Sequence, residues 1–269
     1  MQKGRDSTFG PSLPAIAHVL PLVLVLGGCQ IAPGGLTARA SDEWTRTYPL
    51  AANGEVQITN GNGSIEVEGV DGAMVDVRAE RIAHAATDAA ARELLPRISI
   101  KESSRPALVA LETERLTGIL IGVSVEVKYH VRAPKSALVR LRTANGAITA
   151  AQLAGRLVAT TANGAITGRN LSGGVEARAV NGPVTIDIRS LGDELIELRT
   201  VNGELNLTLP ENARANVSAS CTNGVIDTSG LMLDLMGEQT RRRVRGRLNG
   251  GGTPIELSTT NGPIRVAIR

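Results

Sequence analysis

The chain has 269 residues, with 29 Lys and Arg against 26 Asp and Glu, a formal charge of +3, 42% apolar residues and 1% aromatics. That apolar fraction supports a folded core and excludes a disordered chain, while so small a net charge over this length argues against a protein that grips nucleic acid by neutralising phosphates. The aromatics are Phe9, Trp44, Tyr48 and Tyr129, so the core must be aliphatic and a platform for stacking bases or sugars has almost no material.

Residues 1–28 read as a segment that is removed. Lys3 and Arg5 precede an apolar run over 13–26 that is broken by Pro14 and Pro21, then Leu26-Gly27-Gly28-Cys29. A positive head, a short apolar stretch and small residues form a signal peptide, and the run is too short for a comfortable spanning helix. Cysteine directly after Leu-Gly-Gly resembles the lipobox of bacterial lipoproteins. The resemblance implies that Cys29 receives a diacylglycerol and palmitate-type chains and becomes the mature N-terminus, each buried CH₂ adding roughly 0.8 kcal/mol of membrane affinity. Gln30, rather than Asp, then favours the outer membrane where the cell has one. The competing readings are an ordinary signal peptide or an uncleaved anchor with an accidental cysteine.

Residues 29–42, rich in Gly, Pro and small polar side chains, are expected to form a flexible tether. Residues 43–135 are an irregular β region. QITNGNGSIEVEGV and AMVDVRAERI alternate as strands, and Thr87 or Asp88 opens a short helix over about 87–95 that Pro96 ends. RISIKES, ALVALETER and VSVEVKYHVRAP are strands again, and the region is expected to make the first coils and a cap.

Residues 136–269 carry the strongest signal. Asn-Gly recurs at Asn145-Gly146, Asn163-Gly164, Asn181-Gly182, Asn202-Gly203, Asn223-Gly224 and Asn261-Gly262, at spacings of 18, 18, 21, 21 and 38, with an outlying copy at Asn62-Gly63. Six residues before each repeated Asn stand Val139, Leu157, Val175, Ile196, Val217 and Ile255; four before stand Leu141, Ala159, Ala177, Leu198, Ala219 and Leu257. Two before stand Thr143, Thr161, Ala179, Thr200, Cys221 and Thr259, and three after come Ile148, Ile166, Val184, Leu205, Ile226 and Ile264. Period two with one face inward is a strand, and the chain turns at Asn-Gly because both residues tolerate positive φ. Antiparallel hairpins would also place positions −2 and +3 opposite one another. Column-by-column identity favours instead a β-solenoid of 18–21-residue coils, with Asn at one corner of every coil able to stack its amides, and the 38-residue gap holding one degenerate coil.

The segment from Val125 to Asp187, with its T-x-N-G-x-I copies, resembles the DUF4097 adhesin-like family of β-strand-repeat proteins, over residues from about 53 to the end. The resemblance implies an all-β, right-handed parallel β-helix-like fold in the bacterial envelope and no assigned reaction. Pro183 and Pro263, after the corner glycines, and the interval between Gly224 and Asn261 depart from the pattern.

Chemical candidates are few. His84 and His130 form no metal-ligand spacing, Asp71 and Asp193-Glu194 read as turn residues, and Cys221 reads as a small buried thiol in the Thr column. No catalytic residue, metal or cofactor is expected. Arg142, Arg178 and Arg199, three before the Asn, and Arg140, Glu176, Glu197 and Glu256, five before, point outward. They form either a face for an acidic polymer or partner protein, or cross-strand charge pairs. Within 225–260, Leu231, Met232, Leu233, Leu235 and Met236 are followed by Arg241, Arg242, Arg243, Arg245 and Arg247. These arginines either contact anionic lipid headgroups or acidic glycans near the anchor, or lie on a solvated strand of a degenerate coil with Val244 and Leu248 inward. The expected function is a lipid-anchored, non-enzymatic, adhesin-like module of the envelope whose partners are the membrane, an envelope protein or an acidic glycan, and not nucleic acid. The alternative is a polysaccharide-active β-helix, for which clustered carboxylates and aromatics look thin.

Overall fold

A computed structural model describes residues 37–116, 122–237 and 239–269; the proposed signal peptide, Cys29 and the tether to residue 36 lie outside the described residues. The first strand, β1 (Ala38–Pro49), begins inside the expected tether, because alternation of Ala38, Ala40 and Trp44 with polar residues lets it pair antiparallel with β4. β2 (Glu55–Asn62) and β3 (Ile65–Val70) flank the Asn62-Gly63 corner, and β4 spans Met74–Ala85. Helix α1 (Asp88–Leu94) starts at Thr87, whose hydroxyl accepts from the Ala90 amide, and buries Ala91 and Leu94 as it packs on β1 and β4. β5 (Ile100–Arg105), β6 (Leu108–Thr113) and β7 (Ser124–Pro134) complete the N-terminal region.

The repeats follow as strand pairs around each Asn-Gly: β8 (Leu138–Asn145) with β9 (Ile148–Ala151), β10 (Leu157–Asn163) with β11 (Ile166–Leu171), β12 (Val175–Asn181) with β13 (Val184–Ile188), and β14 (Ile196–Asn202) with β15 (Leu205–Leu209). β16 (Ala215–Asn223) and β17 (Ile226–Asp227) form a further pair, then come β18 (Leu233–Leu235), β19 (Arg243–Leu248), and last β20 (Thr253–Asn261) with β21 (Ile264–Ile268). Within each coil, the strand before the corner joins one sheet and the strand after it joins the other, so the chain is a β-solenoid and not a meander of hairpins. The first sheet runs β1-β4-β7-β3-β9-β11-β13-β15-β21-β17 and the second β18-β19-β16-β20-β14-β12-β10-β8-β2-β6-β5. Aliphatic columns of both sheets merge in one core, with Val139, Leu157, Val175, Ile196 and Ile255 each at most 1% exposed.

Two features of the stack depart from the sequence reading. The final coil, β20/β21, lies between β14/β15 and β16/β17, so spatial order is not chain order. The 38-residue interval holds no degenerate coil; β18 and β19 are antiparallel to each other, and β19 is antiparallel to β16. The N-terminal end mirrors this, because β2/β3 lies between β8/β9 and the pair β6/β7, which comes later in the chain. The antiparallel strands β1 and β4 then extend the first sheet, and β5 extends the second. The outer edges are short or charged, as in β17, β18 and the Lys-Glu-Ser-Ser-Arg run of β5, which blunts edge-to-edge pairing.

Candidate functional site

The corner residues are brought together as one continuous line. Each Asn side-chain amide donates to the Asn Oδ1 of the preceding coil: Asn145 to Asn62 at 2.8 Å, Asn163 to Asn145 at 2.7 Å, Asn181 to Asn163 and Asn202 to Asn181 at 2.9 Å. The line continues from Asn261 to Asn202 at 2.6 Å and from Asn223 to Asn261 at 2.8 Å. These asparagines do not adopt the positive φ that the sequence reading gave them. At the corners it falls on the glycine, as at Gly63, Gly146, Gly164, Gly182 and Gly262 with φ of 115–156°, while in the Asn-Gly turns outside the ladder Asn53 and Asn249 take φ of 57° and 51°. The corner glycines are needed chiefly because backbones meet. A Cβ on Gly164 would lie 2.1 Å from the Gly146 carbonyl oxygen, and the same approach recurs at Gly63, Gly146, Gly182, Gly203, Gly224 and Gly262. Pro183 and Pro263 fit because their ladder role is to accept, from the amides of Ile166 and Leu205.

The Thr column explains itself in the same geometry. Thr143, Thr161, Thr200 and Thr259 are buried and donate their hydroxyls to the corner glycine carbonyls of Gly63, Gly146, Gly182 and Gly203, at 2.9–3.2 Å. Ala179 and Cys221 occupy the same column without a hydroxyl. The Cys221 thiol is pushed up by burial, with Arg242 pulling partly against it, so little of it is thiolate at neutral pH.

Most outward charges of β2, β8, β12, β14 and β20 are paired, Arg142 being the predicted outward arginine that makes no ion pair with a described residue. Glu176 takes Arg156 at 3.1 Å and also Arg178; Glu197, only 6% exposed, takes Arg178 and Arg199; Glu256 meets Arg199 at 3.7 Å and Glu55 meets Arg140 at 3.0 Å. This is the cross-strand pairing alternative.

A groove of about 430 Å³ opens on the outer face of the first sheet, where β4, β7 and β3 lie side by side. His130 stands opposite both Arg78 and Glu66, and Arg132 opposite both Asp76 and Glu68. The groove therefore holds three carboxylates, which the sequence reading missed because strands 66–68, 76–78 and 130–132 become neighbours only through the crossover. Each carboxylate has a local partner: Glu66 meets His130 Nδ1 at 3.1 Å, Asp76 accepts from Thr47 at 2.9 Å, and Glu68 from Gln152 at 3.3 Å. Among the described residues no group of three His, Cys, Asp or Glu is arranged to hold a metal ion.

The arginine run lies at the far end of the second sheet. On β19, Val244 and Leu248 are buried, and Arg243, Arg245 and Arg247 are exposed beside Ser220, Ser218 and Asn216 of β16. Arg241 and Arg242 form the preceding turn, whose backbone carbonyls accept from the amides of Ile226 and Cys221. The turn thus stands where another coil would. The run is far from β1: β1 and β17 are the opposite edges of the first sheet, nine strand spacings apart or about 43 Å, and β19 lies beyond β16.

The sequence model of the family described as Toastrack DUF4097 matches residues 122–267. Among solved structures, an inferred cell adhesion protein of Clostridium sporogenes is similar at a TM-score of 0.49 and 12% identity, over 85% of this chain and 100% of that chain. An inferred adhesin of Bacteroides fragilis gives 0.34 at 12% identity, over 84% and 97%. One of Parabacteroides distasonis gives 0.28 at 10% identity, over 84% and 97%. No curated protein matches the chain.

Proposed function

The chain belongs to the Toastrack DUF4097 family, and on that premise we propose that it is a lipid-anchored, non-enzymatic, adhesin-like module of the cell envelope that presents its long faces to a partner. The observation that carries this reading is the unbroken line of seven hydrogen-bonded asparagines, from Asn62 through Asn261 to Asn223. Together with paired outward charges and ends closed by inserted coils, it describes a stiff body whose regular surfaces are suited to presentation. The Leu-Gly-Gly-Cys box supports attachment through Cys29, and among the described residues no helix is long and apolar enough to cross a membrane.

The test has two arms. Metabolic labelling with a palmitate analogue should mark the wild type and leave the Cys29→Ala variant unmarked. Cross-linking in intact envelopes, followed by pull-down from detergent, should recover a defined envelope partner; labelling that persists without Cys29, or recovery of the chain alone, overturns the reading.

The groove favours a second reading, an envelope polysaccharide-active enzyme using Glu66, Glu68 and Asp76. Register places Asp76 and Glu68 on either side of Arg132, with backbones two strand spacings or about 10 Å apart, so that side chains leaning toward each other could reach the roughly 6.5–9.5 Å separation of a carboxylate pair that admits water. Hydrolysis of envelope glycans by the wild type that disappears in Glu68→Gln and Asp76→Asn would install this reading in place of the first.

A further inference from the structure

We infer that the β18–β19 end of the solenoid is a docking surface for an anionic lipid bilayer. On β8, β12 and β14 of the second sheet, Arg140, Arg178 and Arg199 are matched by glutamates, and only single arginines, Arg142 on β8 and Arg105 on β5, make no ion pair with a described residue. That network stops at Glu256 on β20. Beyond it come the hydroxyls of Ser218 and Ser220, then Arg243, Arg245 and Arg247 with Arg241 and Arg242 in the turn. All five arginines are exposed, and none makes an ion pair with a described residue. Alternate residues of one strand share a face, so Arg243, Arg245 and Arg247 form a row spanning about 14 Å. A row of that length engages several anions at once and has little use for a single small one.

The apolar flank selects the occupant. Met232 is 92% exposed, Leu235 60% and Met236 49%, all within the segment that forms the edge of this sheet. Leu233 packs partly against the core opposite Leu248, and Leu235, opposite Gly246, lies on that same face of the edge; on the arginine face Asp234 stands opposite Arg247, and Met236 follows with its amide donating to the Arg245 carbonyl. Met236 beside Arg245, with Met232 and Leu235 exposed along the same free edge, matches the boundary between acyl chains and headgroups, where apolar insertion and charge attraction add. An acidic glycan would use the arginines and leave the methionines in water. It would also profit from aromatic faces, yet Trp44 lies on β1 at the opposite end of the stack. Because the surface stands about 43 Å or more from β1, a chain tethered at its N-terminus presents this end to a bilayer independently of its anchor.

The inference deepens the proposed envelope role, and its test is separate from the lipidation and cross-linking arms. Full-length chain is sedimented with vesicles of phosphatidylcholine, with or without phosphatidylglycerol, at low and high salt. The wild type should bind the anionic vesicles about tenfold or more better than a variant with Arg241, Arg243, Arg245 and Arg247 changed to Ser, and salt should erase the difference. A second variant, Met232→Ser with Leu235→Ser and Met236→Ser, should also lose anionic vesicle binding while keeping the wild-type melting temperature, since these side chains are exposed. Equal binding by wild type and arginine variant overturns the inference. So does an arginine-dependent binding that the apolar variant retains in full and that a soluble sulfated glycan displaces, which would make the occupant an acidic glycan.

Discussion

Asn261 donates its side-chain amide to Asn202 at 2.6 Å, although Asn223 lies between them in the chain. The last coil is thus an interior rung, held on one side by β14 and on the other by β16. The same inversion at the N-terminal end seats β2/β3 inside β6/β7. A stack closed in this way has no terminal coil that can peel off as the chain frays, because each inserted coil is gripped on both sides.

Deleting residues 253–269 should therefore cut the stack rather than trim it. The deletion removes Ile255, Leu257, Ile264 and Val266, each at most 2% exposed, and leaves β14 and β16 without their shared neighbour. At about 1.5–3 kcal/mol for each buried aliphatic, the loss is comparable to the whole stability of a typical domain. Limited proteolysis should show residues 215–252 released from the fold, whereas a deletion that merely trimmed an end would leave them protected.

The inward and outward columns predict opposite responses to charge. Val175 and Leu198 are 1% and 0% exposed, so Val175→Asp or Leu198→Asp should cost several kcal/mol and unfold the repeats. Glu176→Lys replaces two half-buried ion pairs at the sheet surface by mild repulsion from Arg156 and Arg178, and should cost about 1 kcal/mol. Denaturant midpoints for the three variants check the ordering; equal midpoints would remove the assignment of faces.

The columns were legible because stacking repeats the same environment at every coil, so Val175, Ile196 and Ile255 announce one position three times. What escaped was everything that depends on which coil meets which. Nothing in the spacing of Asn223 and Asn261 distinguishes a degenerate coil from an antiparallel detour followed by insertion, since both return the chain to the same corner. The groove carboxylates escaped for the same reason: Glu68 and Asp76 are close in sequence, but Arg132 comes between them only after a long excursion. Asn53-Gly54 and Asn249-Gly250 show that the dipeptide alone is ambiguous, because there the asparagine is left-handed, whereas in the ladder copies the asparagine is not and positive φ falls on glycines such as Gly146 and Gly164. The aliphatic columns upstream separate the two kinds.

The ladder predicts a sharp contrast between glycines. Gly164→Ala drives a methyl to 2.1 Å from the Gly146 carbonyl oxygen and should cost more than about 2 kcal/mol, because backbone must move in two coils. Gly61→Ala meets nothing within 4 Å and should be close to neutral. Asn163→Ala removes one donated and one accepted amide bond at an exposed corner and should cost about 1–2 kcal/mol. Thermal melting of the three variants orders these costs, and a tolerated Gly164→Ala would contradict the close approach of the backbones.

The Thr column offers a gain of stability. Thr161 and Thr200, the neighbours of Ala179 in register, each donate to the corner glycine carbonyl of the preceding coil, Gly146 and Gly182. Ala179 leaves the Gly164 carbonyl without that hydroxyl, in a site whose backbone is the same. Ala179→Thr should therefore supply the missing donor, while its methyl occupies the space that threonine fills in the two flanking coils. One buried hydrogen bond to a neutral carbonyl contributes about 0.5–1.5 kcal/mol, and the β-branched side chain suits the strand. Ala179→Val has the same shape without the hydroxyl, so the difference between the two variants isolates the bond. Ala179→Thr should raise the denaturant midpoint above both wild type and Ala179→Val with no change in slope; equal midpoints for the Thr and Val variants would show that the column is chosen for shape and not for its hydroxyls.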